Sequence, residues 1–465
     1  MTVPSWIYDS VFYQIFPDRF ANGDTSNDPA GVLAWDAAPS IHGFHGGDLQ
    51  GIVKHLDYLL DLGINAIYLN PIFLSPSTHR YNTVDYYQID PKLGKMADFT
   101  QLIKTAHENG LHIVLDGVFN HTGRGFFAFN DILENQEHSA YKDWYTINHF
   151  PVDAYSPGDA VDYLAWWKFK SLPKLNTLNP VVRKYIFDVA RYWIEMGADG
   201  WRLDVPNEIN DDAFWAEFRQ VVKKANPEAY LLGEIWEADP RWLGEGHFDG
   251  LMNYPLRDAI FNFMNQRLSA VEYANRLEAL LEHYPMDNVY AMYNLSGSHD
   301  VDRLWNSMGG DIKRIKLVFL ALFSFPGIPA VYYGDEIGMS GGKDPDCRKA
   351  FIWQSERWNQ ELREWVKKLI AVRKSQDALK KGDFQRIHEE DRFLVFMRKF
   401  HDQQVIVVQN ASRDIREVSL DAMRYGLWDG SVLSDLLGSE TWRVENGQLT
   451  IRIQPVSGSF LTVSA

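Results

Sequence analysis

Along the first 375 residues, segments with a helical repeat of apolar positions alternate with short unbroken apolar runs. Leu49, Ile52, Val53, Leu56, Leu59 and Leu60 follow helical spacing behind Asp48, a residue type that caps helix N-termini, and Gly63 stands where a C-cap belongs. The apolar run 66–69 comes next. The same order recurs when Phe99, Leu102, Ile103 and Ala106 form one face, Gly110 closes it, and LHIVLD leads to Asp116. Helix, glycine, buried strand and polar loop is the rhythm of a parallel sheet covered by helices. Eight strands are predicted, near 11–16, 66–69, 112–116, 200–204, 230–234, 250–253, 291–295 and 330–333. Eight parallel strands close into a (β/α)8 TIM barrel.

The spacing is even except over 117–199, where FFAFNDILENQEHSAYKDWY and DYLAWWKFKSLPKLN lie between the third and fourth strands. An excess of that size predicts a small subdomain inserted on the face where loops carry function. After Asp377, FLVFMRKF, QQVIVVQNAS, REVSL and LTIRIQ are rich in β-branched residues and are separated by turn residues, as in a compact antiparallel β-sandwich. The expected class is therefore α/β. Barrel residues 1–120 and 176–377 would flank an inserted subdomain at 121–175, and a C-terminal β-sandwich domain would span 378–465. No repeat, low-complexity tract or Pro/Gly-rich linker interrupts the chain.

The stretch GWRLDVPNE, Gly200 to Glu208, reads as a strand with Trp201, Leu203 and Val205 on one side and Arg202 and Asp204 on the other, ending at Pro206. Buried charges are costly unless paired, so this arginine and aspartate either stabilise a core or do chemistry. AYLLGEIW ends in the same way at Glu234, and YAMYNLSGSHD delivers His299 and Asp300. In a closed parallel barrel these strand tips converge. Two facing carboxyls suit glycosidic bond cleavage, one attacking the anomeric carbon and the other protonating the leaving oxygen. The retaining version needs them about 5–5.5 Å apart, close to the ~4.8 Å between neighbouring strands. Asp204 beside Arg202 is expected to be held ionised. Glu234 lacks a basic neighbour in sequence and precedes Ile235 and Trp236, so it is expected to stay protonated. Asp300 adds negative charge that would help keep the proton on Glu234. Structural ion pairing would explain one such carboxylate better than three at successive strand tips.

Composition narrows the partners. The 16 tryptophans and 22 tyrosines suit a large core or a cleft of flat rings for sugars. A formal net charge of −16 argues against a polyanion, and suits a neutral ligand or simply a solvated acidic surface. No phosphate loop, zinc spacing or basic stripe points to nucleotide, zinc or nucleic acid. The one cysteine, Cys347, excludes an intrachain disulfide and suits a reducing compartment. MTVPSWIYDS has no signal-peptide pattern and no run approaches the ~18 apolar residues of a membrane span, so a cytoplasmic enzyme without membrane or nucleic-acid partners is expected. In DRFANGDTSND, Asn22, Asp24, Asn27 and Asp28 crowd oxygen ligands around Gly23, as a hard cation such as Ca2+ favours. Turn chemistry selects the same residues, and both readings stand.

DGVFNH (Asp116 to His121), GWRLDVPNE, GEIW (Gly233 to Trp236) and SHD (Ser298 to Asp300) together resemble the four signature regions of the α-amylase family of glycoside hydrolases. VFYQIFPDRF, LPKLN (Leu172 to Asn176) and GIPAVYYGDE (Gly327 to Glu336) extend the resemblance over roughly 5–375. It implies Asp204 as nucleophile, Glu234 as general acid/base and Asp300 as transition-state stabiliser. It also implies that Arg202, His121 and His299 contact the sugar or the nucleophile and that Tyr81 stacks under the ring being cleaved. Asp116 and Asn120 would organise the first region. LPKLN, Glu208 and GGKDPDCR (Gly341 to Arg348) are similar to the cyclomaltodextrinase, neopullulanase and maltogenic amylase branch, in which Asp344 and Arg348 would hold the sugar on the non-reducing side. Trp236 and the Trp166–Trp167 pair become stacking candidates, core packing being an equal alternative for the pair. The branch's structural calcium loop matches Asn22, Asp24, Asn27 and Asp28 together with Gly46 and Asp48.

Relatives of that branch carry an N-terminal β domain that caps a neighbouring subunit's cleft. Here the first strand begins near residue 11, so that domain is expected to be missing, and a homodimer is left undetermined. The expected activity is retaining hydrolysis of α-1,4 and also α-1,6 glucosidic bonds in maltooligosaccharides, cyclodextrins, pullulan or starch. The alternatives are a transglycosylase or a sucrose- or trehalose-type glucosyl transferase or isomerase on the same scaffold, and, remotely, an inactive carbohydrate-binding scaffold.

Overall fold

A computed structural model describes residues 3–463. The eight expected barrel strands form: β1 (Phe12–Ile15), β2 (Ala66–Leu69), β3 (His112–Gly117), β4 (Gly200–Leu203), β5 (Tyr230–Gly233), β6 (Gly250–Leu251), β7 (Tyr293–Leu295) and β8 (Ile328–Tyr332). They pair in parallel in the order β6-β5-β4-β3-β2-β1-β8-β7, and a parallel bridge between Met252 and Tyr293 completes the circuit. Alternation along each strand divides the side chains. Phe12, Tyr68, Val114, Leu232, Tyr293 and Ile328 fill the barrel interior, whereas Tyr13, Ile67, Leu115, Trp201, Leu203 and Val331 pack under the surrounding helices. Register then brings Arg202 of β4 opposite Asp116 of β3 and Leu232 of β5, at the C-terminal end of the barrel.

Helix Met96–Glu108 buries Phe99, Leu102, Ile103 and Ala106 as its periodicity predicts. Asp48 caps as expected, accepting from the Gly51 N–H at 2.6 Å. The helix behind it is two, Leu49–Lys54 and Leu56–Leu62, broken at His55, whose ring stacks on Trp353. Gly63 ends the second in the left-handed region at φ 96°.

Between β3 and helix Pro180–Glu195 the chain leaves the barrel, forms helix Phe127–Asn135, and returns through bridges that pair His121 with Lys174 and Tyr145 with Leu175. The excursion is thereby pinned to the end of β3. It continues the loop face where Asp116 and His121 emerge.

From Asp383 the chain is an antiparallel sheet of β9 (Asp383–Glu390), β10 (Phe393–Phe400), β11 (Gln403–Asn410), β12 (Arg416–Asp421), β13 (Val432–Asp435), β14 (Thr441–Glu445), β15 (Gln448–Ile453) and β16 (Ser457–Val463), ordered β9-β10-β11-β16-β13-β14-β15-β12. Val395, Val408 and Leu461 pack against Leu420, Leu449 and Ile451 across the interior of this sandwich. Phe396, Val407 and Phe460 on the opposite face join the main core. Strands β10 and β11 are thus buried on both faces, which is why FLVFM and VIVV read as continuous apolar runs. Among the described residues no helix is long and apolar enough to cross a membrane.

Candidate active site

Arg202, fully buried, organises the barrel mouth. Its Nη1 donates to Asp116 Oδ1 at 2.8 Å and to Asp204 Oδ1 at 2.9 Å. Its Nη2 lies 2.8 Å from Glu234 Oε1 without the alignment of a hydrogen bond. The hydroxyls of Tyr68 and Tyr81 donate to Asp116 Oδ2 at 2.6 and 2.8 Å. One guanidinium therefore serves three carboxyls delivered by three adjacent strands.

That sharing corrects two expectations about charge. Glu234 does have a basic neighbour, supplied by the fold rather than by its own segment. Asp204 is not held low by Arg202: burial drives it well above the carboxylate range, with Arg202 opposing and Glu234, Asp116 and Asp300 adding to the rise. Burial likewise raises Asp116, and raises Glu234 to about 7 against the pull of Arg202. With one cation among three buried carboxyls, the cluster retains a proton at neutral pH. Asp204 has the aligned bond to Arg202 and Glu234 does not, so the geometry favours the charge on Asp204 and the proton on Glu234. Val205 is not part of the strand alternation. It takes a left-handed conformation at φ 36°, an uncommon state for a β-branched residue, and its N–H donates to Glu234 Oε2 at 3.0 Å.

Asp300 is more open than Asp116, Asp204 and Glu234, with a side chain 30 % exposed, and its Oδ1 accepts from Arg348 Nη2 at 3.3 Å. Arg348 Nη1 also meets Asp344 Oδ1 at 3.0 Å, so the two residues expected on the non-reducing side form one ion-pair chain with Asp300. Tyr81 stacks on His299 at 5.4 Å with ring planes 8° apart. Burial, with nearby Arg348 and Arg202, keeps His299 neutral. Its Nδ1 takes the Gln14 amide N–H at 2.8 Å, which leaves the proton on Nε2, 2.6 Å from the Tyr81 hydroxyl and 3.0 Å from Asp300 Oδ2. His121 is buried and neutral, pushed down to about 3 chiefly by desolvation, with Asn120 3.2 Å from its Nδ1.

Gln14 and Asn70 were not anticipated. Gln14 Nε2 donates to Asn70 Oδ1, and Asn70 Nδ2 donates to the Tyr81 hydroxyl at 3.0 Å, so the pair fixes both His299 and Tyr81. The available signal was a lone glutamine inside the apolar run VFYQIF. His79 was also missed. It accepts the Tyr81 N–H at 3.1 Å, and burial depresses it to about 4.

The aromatic candidates separate. Trp236 is 48 % exposed and one face covers Tyr254 at 3.8 Å, nearly parallel. Trp166 and Trp167 stack at 4.6 Å, and Trp166 also lies over His121 at 5.6 Å. Core packing is excluded for Trp167, which is 72 % exposed.

The proposed calcium-loop residues come together beside β1. Asp48 accepts from the Gly23 and Asp24 N–H groups and from Asn27 Nδ2, and Asp28 Oδ1 accepts from Asn22 Nδ2. A Cβ on Gly46 would stand 2.3 Å from Asp28 Oδ1, so only glycine fits there. Asn22 Oδ1 and Asn27 Oδ1 are buried without a hydrogen-bond partner, which suits a hard cation. Asp24 turns its carboxylate to the Ser26 N–H. Among the described residues no three His, Cys, Asp or Glu are disposed to hold a metal, so a cation here would depend on amide oxygens.

Residues 14–381 match the family described as alpha amylase, catalytic domain, and 382–459 match the alpha-amylase C-terminal domain. A cyclomaltodextrinase from Geobacillus thermopakistaniensis is 46 % identical over 97 % of this chain and 76 % of its own length. Neopullulanase 2 from Thermoactinomyces vulgaris is 42 % identical over 99 % of this chain and 78 % of its own. Among solved structures, ligand-free cyclic α-maltosyl-(1→6)-maltose hydrolase from Arthrobacter globiformis superposes with a TM-score of 0.90 at 38 % identity, covering 100 % of both chains.

Proposed function

We propose, for a chain that belongs to the α-amylase family, that it hydrolyses α-glucosidic bonds in α-glucans with retention at the anomeric carbon. The observation that carries this reading is the single buried guanidinium that meets both Asp204 and Glu234 at the ends of adjacent strands, where burial raises Glu234 to about 7. Glu234 gives its proton to the glycosidic oxygen as the bond to the anomeric carbon breaks. Asp204 attacks the same carbon and forms a glycosyl ester. Glu234, now a carboxylate, takes a proton from water, whose oxygen displaces Asp204 and frees the sugar. Asp300 stands near the developing positive charge, and Tyr81, backed by His299, offers a ring face beneath the sugar. Asp344 and Arg348 bind the non-reducing side. His121 contacts the sugar at the reacting carboxyls, and Trp236 stacks on sugar further along the cleft.

The names of its relatives favour cyclodextrins and pullulan as substrates, with α-1,6 as well as α-1,4 bonds. Product analysis on β-cyclodextrin, pullulan and starch tests this. Ring opening or panose from pullulan is expected. Cleavage of starch with cyclodextrin left intact argues against this substrate class, and transfer products without hydrolysis argue against water as acceptor.

Asn22, Asn27, Asp28 and Asp48 would hold a Ca2+ ion that joins the loop after β1 to the helix at Leu49–Lys54. The loop contains none of the reacting carboxyls, so the ion would supply rigidity. Chelation is then expected to lower the melting temperature by about 2–5 °C. A melting curve unmoved by excess chelator would remove the site. With one buried cysteine, Cys347, a reducing cytoplasmic setting is the reading we adopt.

A further inference from the structure

Gln14 on β1 and Asn70 just after β2 are buried beside the carboxyl cluster. A side-chain amide can turn either end toward a partner, so the charges around it decide which way it faces. Asp116 sets that direction. Its Oδ1 accepts from Arg202 Nη1 at 2.8 Å, and its Oδ2 lies 2.6 and 2.8 Å from the Tyr68 and Tyr81 hydroxyls. These donors oppose the effect of burial and hold the carboxyl ionised. As an anion it only accepts, so both phenols spend their hydrogen on it. Asn70, 3.0 Å from the Tyr81 oxygen and 3.4 Å from that of Tyr68, must then turn its NH2 to them and its Oδ1 away. That oxygen is 2.9 Å from the Gln14 NH2, which is also 2.8 Å from His299 Nδ1. Nδ1 therefore accepts, and the ring hydrogen stays on Nε2. One buried acceptor, Gln14 Oε1, is left unpaired. Reversing both amides would orphan an NH2 in its place, and a buried donor without an acceptor is the rarer state.

We infer that Gln14 and Asn70 are positioning residues that carry the charge on Asp116 across to His299 and make its Nε2–H a donor to the sugar. This rests on the glycosidase reading above. Nε2 lies 3.0 Å from Asp300 Oδ2 and 2.6 Å from the Tyr81 oxygen. A sugar hydroxyl between His299 and Asp300 then receives a hydrogen from the ring and gives its own to the carboxylate. With the opposite tautomer both neighbours would be acceptors, and a hydroxyl has a single hydrogen to offer, so one contact would be lost. The other charged or titratable groups that face His299 are Arg348, Arg202, His79 and Cys347. Arg348 Nε and Cys347 Sγ meet its carbonyl at 2.9 and 3.2 Å, and burial with the two arginines and His79 keeps the ring neutral. Neutrality leaves the choice of tautomer to Gln14.

Gln14→Met removes the donor at similar side-chain length, and Gln14→Glu reverses it, because a carboxylate there takes a hydrogen from Nδ1. Long-range proton–nitrogen NMR spectra of histidine-labelled protein, with His299 assigned by its loss in His299→Asn, read the tautomer without turnover. Nε2–H is expected in the unmodified protein, a mixture in Gln14→Met, and Nδ1–H in Gln14→Glu at about pH 8. The kinetic counterpart is a pH signature. A carboxylate at position 14 favours the imidazolium, which still donates from Nε2; at higher pH the neutral ring keeps its hydrogen on Nδ1 and Nε2 cannot donate. The kcat/KM of Gln14→Glu on a maltooligosaccharide, divided by that of the unmodified enzyme, is therefore expected to fall about tenfold between about pH 5 and about pH 8. The same ratio for Gln14→Met is expected to be low by about tenfold at every pH. A ring that stays Nε2–H in Gln14→Glu overturns the proposal, and so does a ratio for that variant that is flat with pH. If Gln14→Glu does not fold, an unchanged tautomer in Gln14→Met overturns it. Failure of the unmodified enzyme to cleave any α-glucan rejects the glycosidase reading itself, and the tautomer comparison still judges the relay.

Discussion

Asp204→Asn and Glu234→Gln are each expected to lower kcat by roughly 10⁴-fold or more, since each removes a group that makes or breaks a bond. Neither is expected to unfold the protein. Asp116, Asp204 and Glu234 are buried around one guanidinium, and each amide keeps the shape of its acid: Asp204→Asn removes one of the competing charges, and Glu234→Gln keeps the neutral state that Glu234 already holds. The melting temperature should stay level or rise. The two variants differ in pH dependence. Glu234 works in its protonated form and is raised to about 7, so the unmodified enzyme loses kcat/KM as pH rises past that value. In Glu234→Gln the residual rate should lack this alkaline limb. An activated substrate such as an α-glucosyl fluoride, which needs no proton on its leaving group, should recover part of the rate in Glu234→Gln and none in Asp204→Asn. Full activity in either variant would sink the role assigned to that residue.

Arg202→Met is expected to have the largest effect on the fold, about 3–5 kcal/mol of lost stability, because it leaves buried carboxyls without their cation. The loss should depend on pH in a definite direction. Burial already raises Asp204 and Glu234, and without the opposing guanidinium their folded-state values rise further. A raised carboxyl stabilises the folded state fully below its unfolded value, and that contribution disappears as pH climbs through the folded value. The variant should therefore be close to normal near pH 4 and progressively weaker from there to pH 8. Denaturant titrations at those two pH values check this. Equal destabilisation at both would mean that Arg202 acts through packing rather than charge.

The sequence determined much of this protein by itself. The eight barrel strands and the helical face of Met96–Glu108 follow from the period of apolar positions, and the end at Gly63 follows from the need for a left-handed residue. Strands β10 and β11 were also legible as strands of a β-sandwich, whereas their burial on a second face against the main core came only from the structure. The candidate carboxyls were visible because a charged residue at the tip of an apolar strand has few other reasons to be there. What the sequence could not contain is distance between segments. Register alone sets Arg202 beside Asp116 and within reach of Glu234, and burial of the cluster, against the pull of Arg202 and with the neighbouring carboxyls adding, turned the expected low value of Asp204 into a raised one. The Gln14–His299–Tyr81 connection joins three parts of the chain that lie far apart in sequence, so no local pattern marks it. The left-handed turn at Val205 is imposed where the strand ends at the barrel mouth, against the preference of a β-branched residue. Local periodicity fixes which elements form and which face is apolar. Which charges share a partner, and hence which acid keeps its proton, is decided by closure of the barrel.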